Sequence, residues 1–256
     1  LIIELTYIDL GLGIGLVILS IGLSILGRIQ LEKDLLIGAV RTFVQLIAVG
    51  YVLNLVFAVE QWYAIIPLLL LMIGVAIHTI IGRQTYKFKN IVPIITISLV
   101  IGTGSTLILV IVVIINVDPW YTPQYIIPIM GMILGNSMNG VALAAERLSS
   151  EIIGKRQLIE TRLSLGATSR EAVSDIVTAS VRAAMIPTIN TLMTVGIVSL
   201  PGMMTGQILA GTSPILAVKY QIIVMYMITA SVMISSVLIV YRGYKQFFTE
   251  SHQFKE

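Results

Sequence analysis

A handful of side chains in this sequence could do chemistry, and they stand out because the chain around them is apolar. The run Gly135-Asn136-Ser137-Met138-Asn139-Gly140 puts two amides, a hydroxyl and a thioether inside a long hydrophobic stretch. Polar groups at hydrocarbon depth are costly unless they pair across helices or face a wet cavity. Interhelical hydrogen bonding and a solute path both fit, and neither excludes the other. Arg41 and Gln45 lie one helical turn apart on another apolar stretch, where Arg41 can also snorkel to the headgroups. Met203, Met204 and Gln207 sit in a segment bounded by Pro201 and Pro214. Thioethers suit soft metals, whereas hard trivalent ions prefer oxygen; methionine in a bundle also serves as gap-filling packing. Arg41, Gln45, Asn136, Ser137, Met138, Asn139, Met203, Met204 and Gln207 are therefore the candidate substrate path.

Other chemistries are excluded. The sequence has no cysteine, so thiolate metal sites, iron–sulfur clusters and disulfides are absent. Its two histidines, His78 and His252, do not form a metal-spaced cluster, and metal ligands stay unassigned. His78 reads as an interfacial or packing residue. No Gly-x4-Gly-Lys-Ser/Thr loop is present, since Gly154-Lys155 is followed by Arg156. The chain binds no ATP or cofactor of its own; if it is ATP-driven, ATP and Mg are used by a separate polypeptide. No Asp or Glu lies deep in a span, as the relays of a gradient-driven secondary transporter would require. No clustered carboxylates, histidines or nucleophile motif suggest an enzyme.

These residues must be positioned by membrane helices. The composition is 57% hydrophobic and 11% charged, and a span needs about 20 apolar residues. Such runs fall near 6–27, 35–58, 62–82, 91–117, 123–145, 183–200 and 214–241. They are continuous rather than alternating, which argues against a barrel. The expectation is an all-α polytopic bundle of about seven transmembrane helices forming one permease domain, 1–256. The net charge of +3 follows topology rather than nucleic-acid binding. Arg28, Lys33, Arg41, Arg83, Lys87, Lys89, the cations of 146–182, and Arg242, Lys245 and Lys255 occupy alternate breaks, while the others carry Glu4, Asp9, Glu60 and Asp118; Lys219 is the exception. By the positive-inside rule the N-terminus is outside and the C-terminus inside.

One polar island, 146–182, is then a cytoplasmic hairpin. Gly154 should interrupt the helix descending from span five, and Lys155–Leu165 should form a short helix with Leu158, Ile159, Leu163 and Leu165 on a partly apolar face. Gly166 suits a left-handed C′ position. Thr168 and Glu171 have capping-box spacing, so a helix should start at Ser169 and climb into span six, with Pro187 bending it. Gly131 and Gly135 have the small-x3-small spacing of close helix packing. The segment 200–214 is too short to cross and reads as re-entrant on the outer side, with Gly202 and Gly206 allowing close packing.

The hairpin resembles the coupling element of ABC transporter permeases. Glu160 to Gly166 keeps the Glu-to-Gly spacing of the importer signature, although Thr161 and Arg162 replace its two alanines and Pro187 comes late. Gly135–Gly140, Leu165–Thr168, Val198–Gln207, Gly211–Pro214 and Tyr220-Gln221 together resemble the FetB-type permease family, bacterial iron exporters and plant aluminium-tolerance permeases. The resemblance implies a multi-pass plasma-membrane half-transporter that pairs with a second copy of itself and a separate ABC ATPase. The ATPase would dock on Glu160, Leu165, Gly166, Ala167 and Thr168. The implied cargo is iron moving outward, or a non-metal such as a nucleotide sugar, which the plant members bring into view.

Overall fold

The computed structural model describes residues 6–86, 88 and 90–255; Glu4, Lys87 and Lys89 of the charge argument lie outside them. The fold is all-helical. Among the described residues seven helices are long and apolar enough to cross a membrane, as expected of a chain that must satisfy every backbone group within its own segments.

The chain forms two compact units: one holds the residues up to Glu60 with 209–211, the other 61–208 and 212–255. In the first unit, α1 (Tyr7–Leu26) is opened by a capping box between Thr6 and Asp9. It pairs with α2 (Glu32–Val59) across a turn closed by Ser24, whose hydroxyl donates to Glu32 Oε2 at 3.1 Å and accepts the Leu31 N–H at 3.0 Å. No residue of α2 is buried.

The second unit is built on α5 (Pro123–Gly154) and α10 (Pro214–Gly243), with α3 (Trp62–Gly82), α4 (Ile91–Ile108) and α8 (Ser174–Thr194) around them. Ile133, Ser137, Val141, Ala144, Leu148 and Ile152 repeat at helical spacing along the buried side of α5. α4 continues into a π-helical turn, Leu109–Ile114. The helices meet through small residues, as they do in bilayers, where the hydrophobic effect offers no reason to associate and close packing does. The glycines that allow it differ from those expected. An added Cβ at Gly102 would lie 2.0 Å from Ser235 Oγ, and at Gly140 2.7 Å from a Val232 methyl. At Gly131 it would meet only the Met72 methyl at 3.6 Å, and at Gly135, Gly202 and Gly206 nothing within 4 Å. The spacing at 131/135 thus marks small residues without naming a neighbour, and close approach falls where α10 crosses α4 and α5.

Short elements join the long ones: α6 (Arg156–Ser164), α7 (Ser169–Ala172) and α9 (Gly202–Leu209). The helix expected to rise unbroken from Ser169 is interrupted at Val173, whose ψ of 11° separates α7 from α8. Pro187 lies inside α8, which runs on to Thr194. The proline-bounded segment contains α9 and has no fully buried residue in it.

Candidate functional site

The hairpin after α5 is a braced structure with one bare tip. α5 ends at Gly154, where Glu151 accepts from Arg147 and Lys155, both at 2.6 Å. In α6, Ile159 is buried and seats the helix, while Leu158 faces outward. Glu160 pairs with Arg156 at 2.8 Å, one turn back on the same helix. Arg162 donates to the Ala172 carbonyl and to Asp175, both at 3.0 Å. The arginine that departs from the importer signature therefore staples α6 to α7 and α8.

Gly166 closes α6 with φ +95°, and the Gly166 and Ala167 N–H groups reach back to the Leu163 and Arg162 carbonyls at 3.0 and 3.1 Å. This satisfies carbonyls a helix end would leave bare. Thr168 and Glu171 make the expected capping box, with Thr168 N–H and Oγ1 donating to Glu171 at 2.8 and 2.7 Å. The Thr168 backbone N–H, then its hydroxyl, hold the Glu171 carboxyl below its ordinary range. Leu165 does not join the apolar face of α6. It is 83% exposed, beside a glycine whose α-carbon has open space.

The C-terminal tail closes on this hairpin, which sequence reasoning missed. His252 Nδ1 accepts from Ser169 N–H at 3.3 Å and lies 3.0 Å from its hydroxyl. The Arg156 guanidinium sits 4.9 Å from the Phe254 ring centre. Phe254 packs edge-on to the buried Phe248, and Thr249 bonds Gln253 backbone to backbone at 2.8 Å. No local signal could have found these contacts, since His252 and Ser169 are 83 positions apart.

The candidate path residues separate by face. Met132, Asn136, Asn139, Gly140 and Leu143 line one cavity of about 450 Å³ between α5, α8, α9 and α10. Their spacing is one helical stripe, and the same geometry turns Ser137 away, to share a 2.7 Å hydrogen bond with Ser231 of α10. Ser137 therefore ties α5 to α10. Met138 is half-buried and lines neither this cavity nor the next. Asn136 gives an amide proton to the Met132 carbonyl at 2.8 Å, and Asn139 accepts from Arg83 at 2.9 Å. Gln84 and Glu146 add bonds to Ala142 and Thr85, stitching the end of α3 along α5.

Met203 lines this cavity and, with Val224, also a second one of about 260 Å³ that contains Gln207, Gln124 and Tyr220. Met204 faces a third space beside Leu192 and Tyr226. Arg41 and Gln45 are exposed on α2 in the first unit. Gln221 of α10, named in the sequence only as part of the family resemblance, was not among the candidate path residues. It is 5% exposed, lines the first cavity, and its Oε1 has no hydrogen-bond partner.

Seven apolar helices among the described residues, cavities whose mostly apolar walls carry a few amides and hydroxyls, and a braced hairpin have the build of a multi-pass membrane permease. The chain belongs to the family described as Uncharacterised protein family (UPF0014), which it matches over residues 7–248. It is 40% identical over 252 residues to the UPF0014 membrane protein slr1647 of Synechocystis, covering 98% of this chain and 97% of that protein. It is 37% identical over 250 residues to the "Probable iron export permease protein FetB" of Escherichia coli K12, covering 98% and 95%. It is 35% identical over 237 residues to "Protein ALUMINUM SENSITIVE 3" of Arabidopsis thaliana, covering 93% and 85%. No solved structure matches the chain.

Proposed function

We propose that the chain is the permease subunit of an ABC exporter that moves iron out of the cell, driven by a separate ATPase docked on 155–168. The observation that carries this reading is the hairpin tip. Leu165 and Gly166 stand exposed on a turn fixed from both sides by Arg162 and by the Thr168–Glu171 box. An exposed leucine beside a glycine with open space around its α-carbon, on a turn held in one shape, offers another protein a surface that its backbone can approach closely. The charge bias supports a cytoplasmic position for that tip, with the N-terminus outside. The likeness to the Escherichia coli protein supports iron and outward movement. Two copies in the cell membrane, each forming one permease domain, would carry two ATPases.

Mechanistically, ATP-driven closure of the ATPase pair would push on α6, whose brace through Arg162 to α8 transmits the push to the wall of the first cavity. Met203, shared by the two cavities, would act as the gate between them. The test is to purify the permease with the ATPase that accompanies it, reconstitute both, and measure ATP-dependent iron movement. Equal iron flux with and without ATP, or no accompanying ATPase, would defeat the proposal.

A further inference from the structure

We infer that the first cavity takes its cargo as a hydrated cation, water shell intact, read through hydrogen bonds to neutral oxygens rather than by direct metal–ligand bonds. This rests on the export reading above and deepens it.

The wall chemistry is the first observation. The lining carries amides, hydroxyls and thioethers, but no carboxylate, imidazole or thiol. Among the described residues no group of three or more His, Cys, Asp or Glu is placed to hold a metal. Sites that strip a first-row or hard cation of water supply such ligands, because they must replace a strongly held shell.

The second observation is which way the polar groups point. Asn136 commits an amide proton to the Met132 carbonyl at 2.8 Å, and Thr191 commits its hydroxyl proton to the Pro187 carbonyl at 2.9 Å. Each keeps oxygen lone pairs for a ligand. Gln221 is buried against the cavity with Oε1 lacking any donor. A buried carbonyl without a donor is a penalty, and a proton-bearing ligand in the cavity removes it once the amide turns toward the space that Gln221 borders. Coordinated water is such a ligand, with protons made stronger donors by the metal. Asn139 is reversed, its oxygen held by Arg83, so it closes the α3 edge of the acceptor set.

Size agrees. At about 30 Å³ for each water, six need about 180 Å³, and the cavity offers about 450 Å³. The adjoining space repeats the neutral chemistry with Gln124, Gln207, Thr212 and Tyr220. Weak successive sites let an ion leave as well as enter. The apolar join at Met203 and Val224 would then exclude water when narrow.

The probe is hexaamminecobalt(III), whose six ammonia ligands do not exchange and present N–H donors as bound water presents O–H. Its equilibrium dialysis against the purified permease decides the inference, and ATP-dependent Fe²⁺ flux in vesicles holding permease and ATPase decides the export reading separately. Saturable cobalt binding is expected, weakened about tenfold by Gln221→Leu and by Asn136→Leu, as loss of a hydrogen bond to a charged complex predicts. Both variants are checked for unaltered melting, and either one that folds suffices. Where flux occurs, the complex should compete with Fe²⁺. Absence of saturable cobalt binding to the purified, folded permease overturns the inference. So does binding of Ag⁺ in place of the inert complex, lost in Met132→Leu, which would assign the cavity to direct thioether ligation. Cobalt binding without iron flux would leave the hydrated-cation site standing and remove iron export.

Discussion

Substituting Gly166 distinguishes a docking surface from a turn that merely needs glycine. The residue sits at φ +95°, and an added Cβ would meet no atom of the chain within 4 Å. Alanine therefore introduces no clash, only the backbone cost of an L-residue in left-handed space, about 1–2 kcal/mol. At about 1.4 kcal/mol per tenfold, that strain lowers the population of the closed turn by about five- to thirtyfold at most. The Arg162 bonds and the Thr168 box still hold both flanks. Asparagine tolerates positive φ better than alanine yet projects further. If strain alone matters, Asn is the mildest change, and Ala and Trp are equally harmful. If an ATPase surface approaches the backbone, harm grows with size, Ala before Asn before Trp. The assay is the amount of ATPase retained on purification, together with permease-stimulated ATP hydrolysis. We expect the size order and loss of both signals in Gly166→Trp. Wild-type retention and hydrolysis in that variant would refute the docking argument.

Other outcomes follow from the geometry. Gly102→Ala should destabilise by about 1–3 kcal/mol through overpacking, because its Cβ falls 2.0 Å from Ser235 Oγ and 3.0 Å from Ser235 N. Adding Ser235→Ala should recover part of the loss in denaturant melts in detergent, since the unpartnered hydroxyl goes while the backbone contact stays. Glu171 has a depressed carboxyl, so its capping box is fully present above the ordinary value of 4.5 and is lost as pH falls through the lower folded value. Exchange at the Thr168 amide, corrected for intrinsic rate, should stay flat from pH 7 to 5 and rise only at more acid pH; Glu171→Gln should abolish that rise. Phe254→Ala should speed limited proteolysis within 155–168, because a cation–π contact worth about 0.5–1 kcal/mol at an exposed site is removed.

Much of the fold was legible because membrane spans announce themselves by length and hydropathy alone. Gly166 and the Thr168–Glu171 box were legible for another reason, that caps are local and need only four or five neighbouring residues. Contacts set by tertiary packing were not. Arg83 finds Asn139 across 56 positions, and His252 finds Ser169 across 83. Neither the helix carrying Gly102 nor that carrying Ser235 names the other. The break at Val173 lacks a glycine or proline to mark it. The division of Asn136 and Asn139 from Ser137 was within reach, since one helical step turns a side chain by about 100°, and the stripe 132–136–139–143 repeats along α5. Gln221 was visible as a polar residue in an apolar run, but only its burial and its vacant oxygen distinguish it.

The folded-back tail also turns the lack of cysteine into an advantage. Ser251 is exposed on the tail, next to the His252 that bonds Ser169. Because the sequence has no other thiol, Ser251→Cys would accept a single fluorophore at a known place beside the hairpin. Its emission would then register, in real time and without touching a coupling residue, the arrival of whatever protein closes over Leu165.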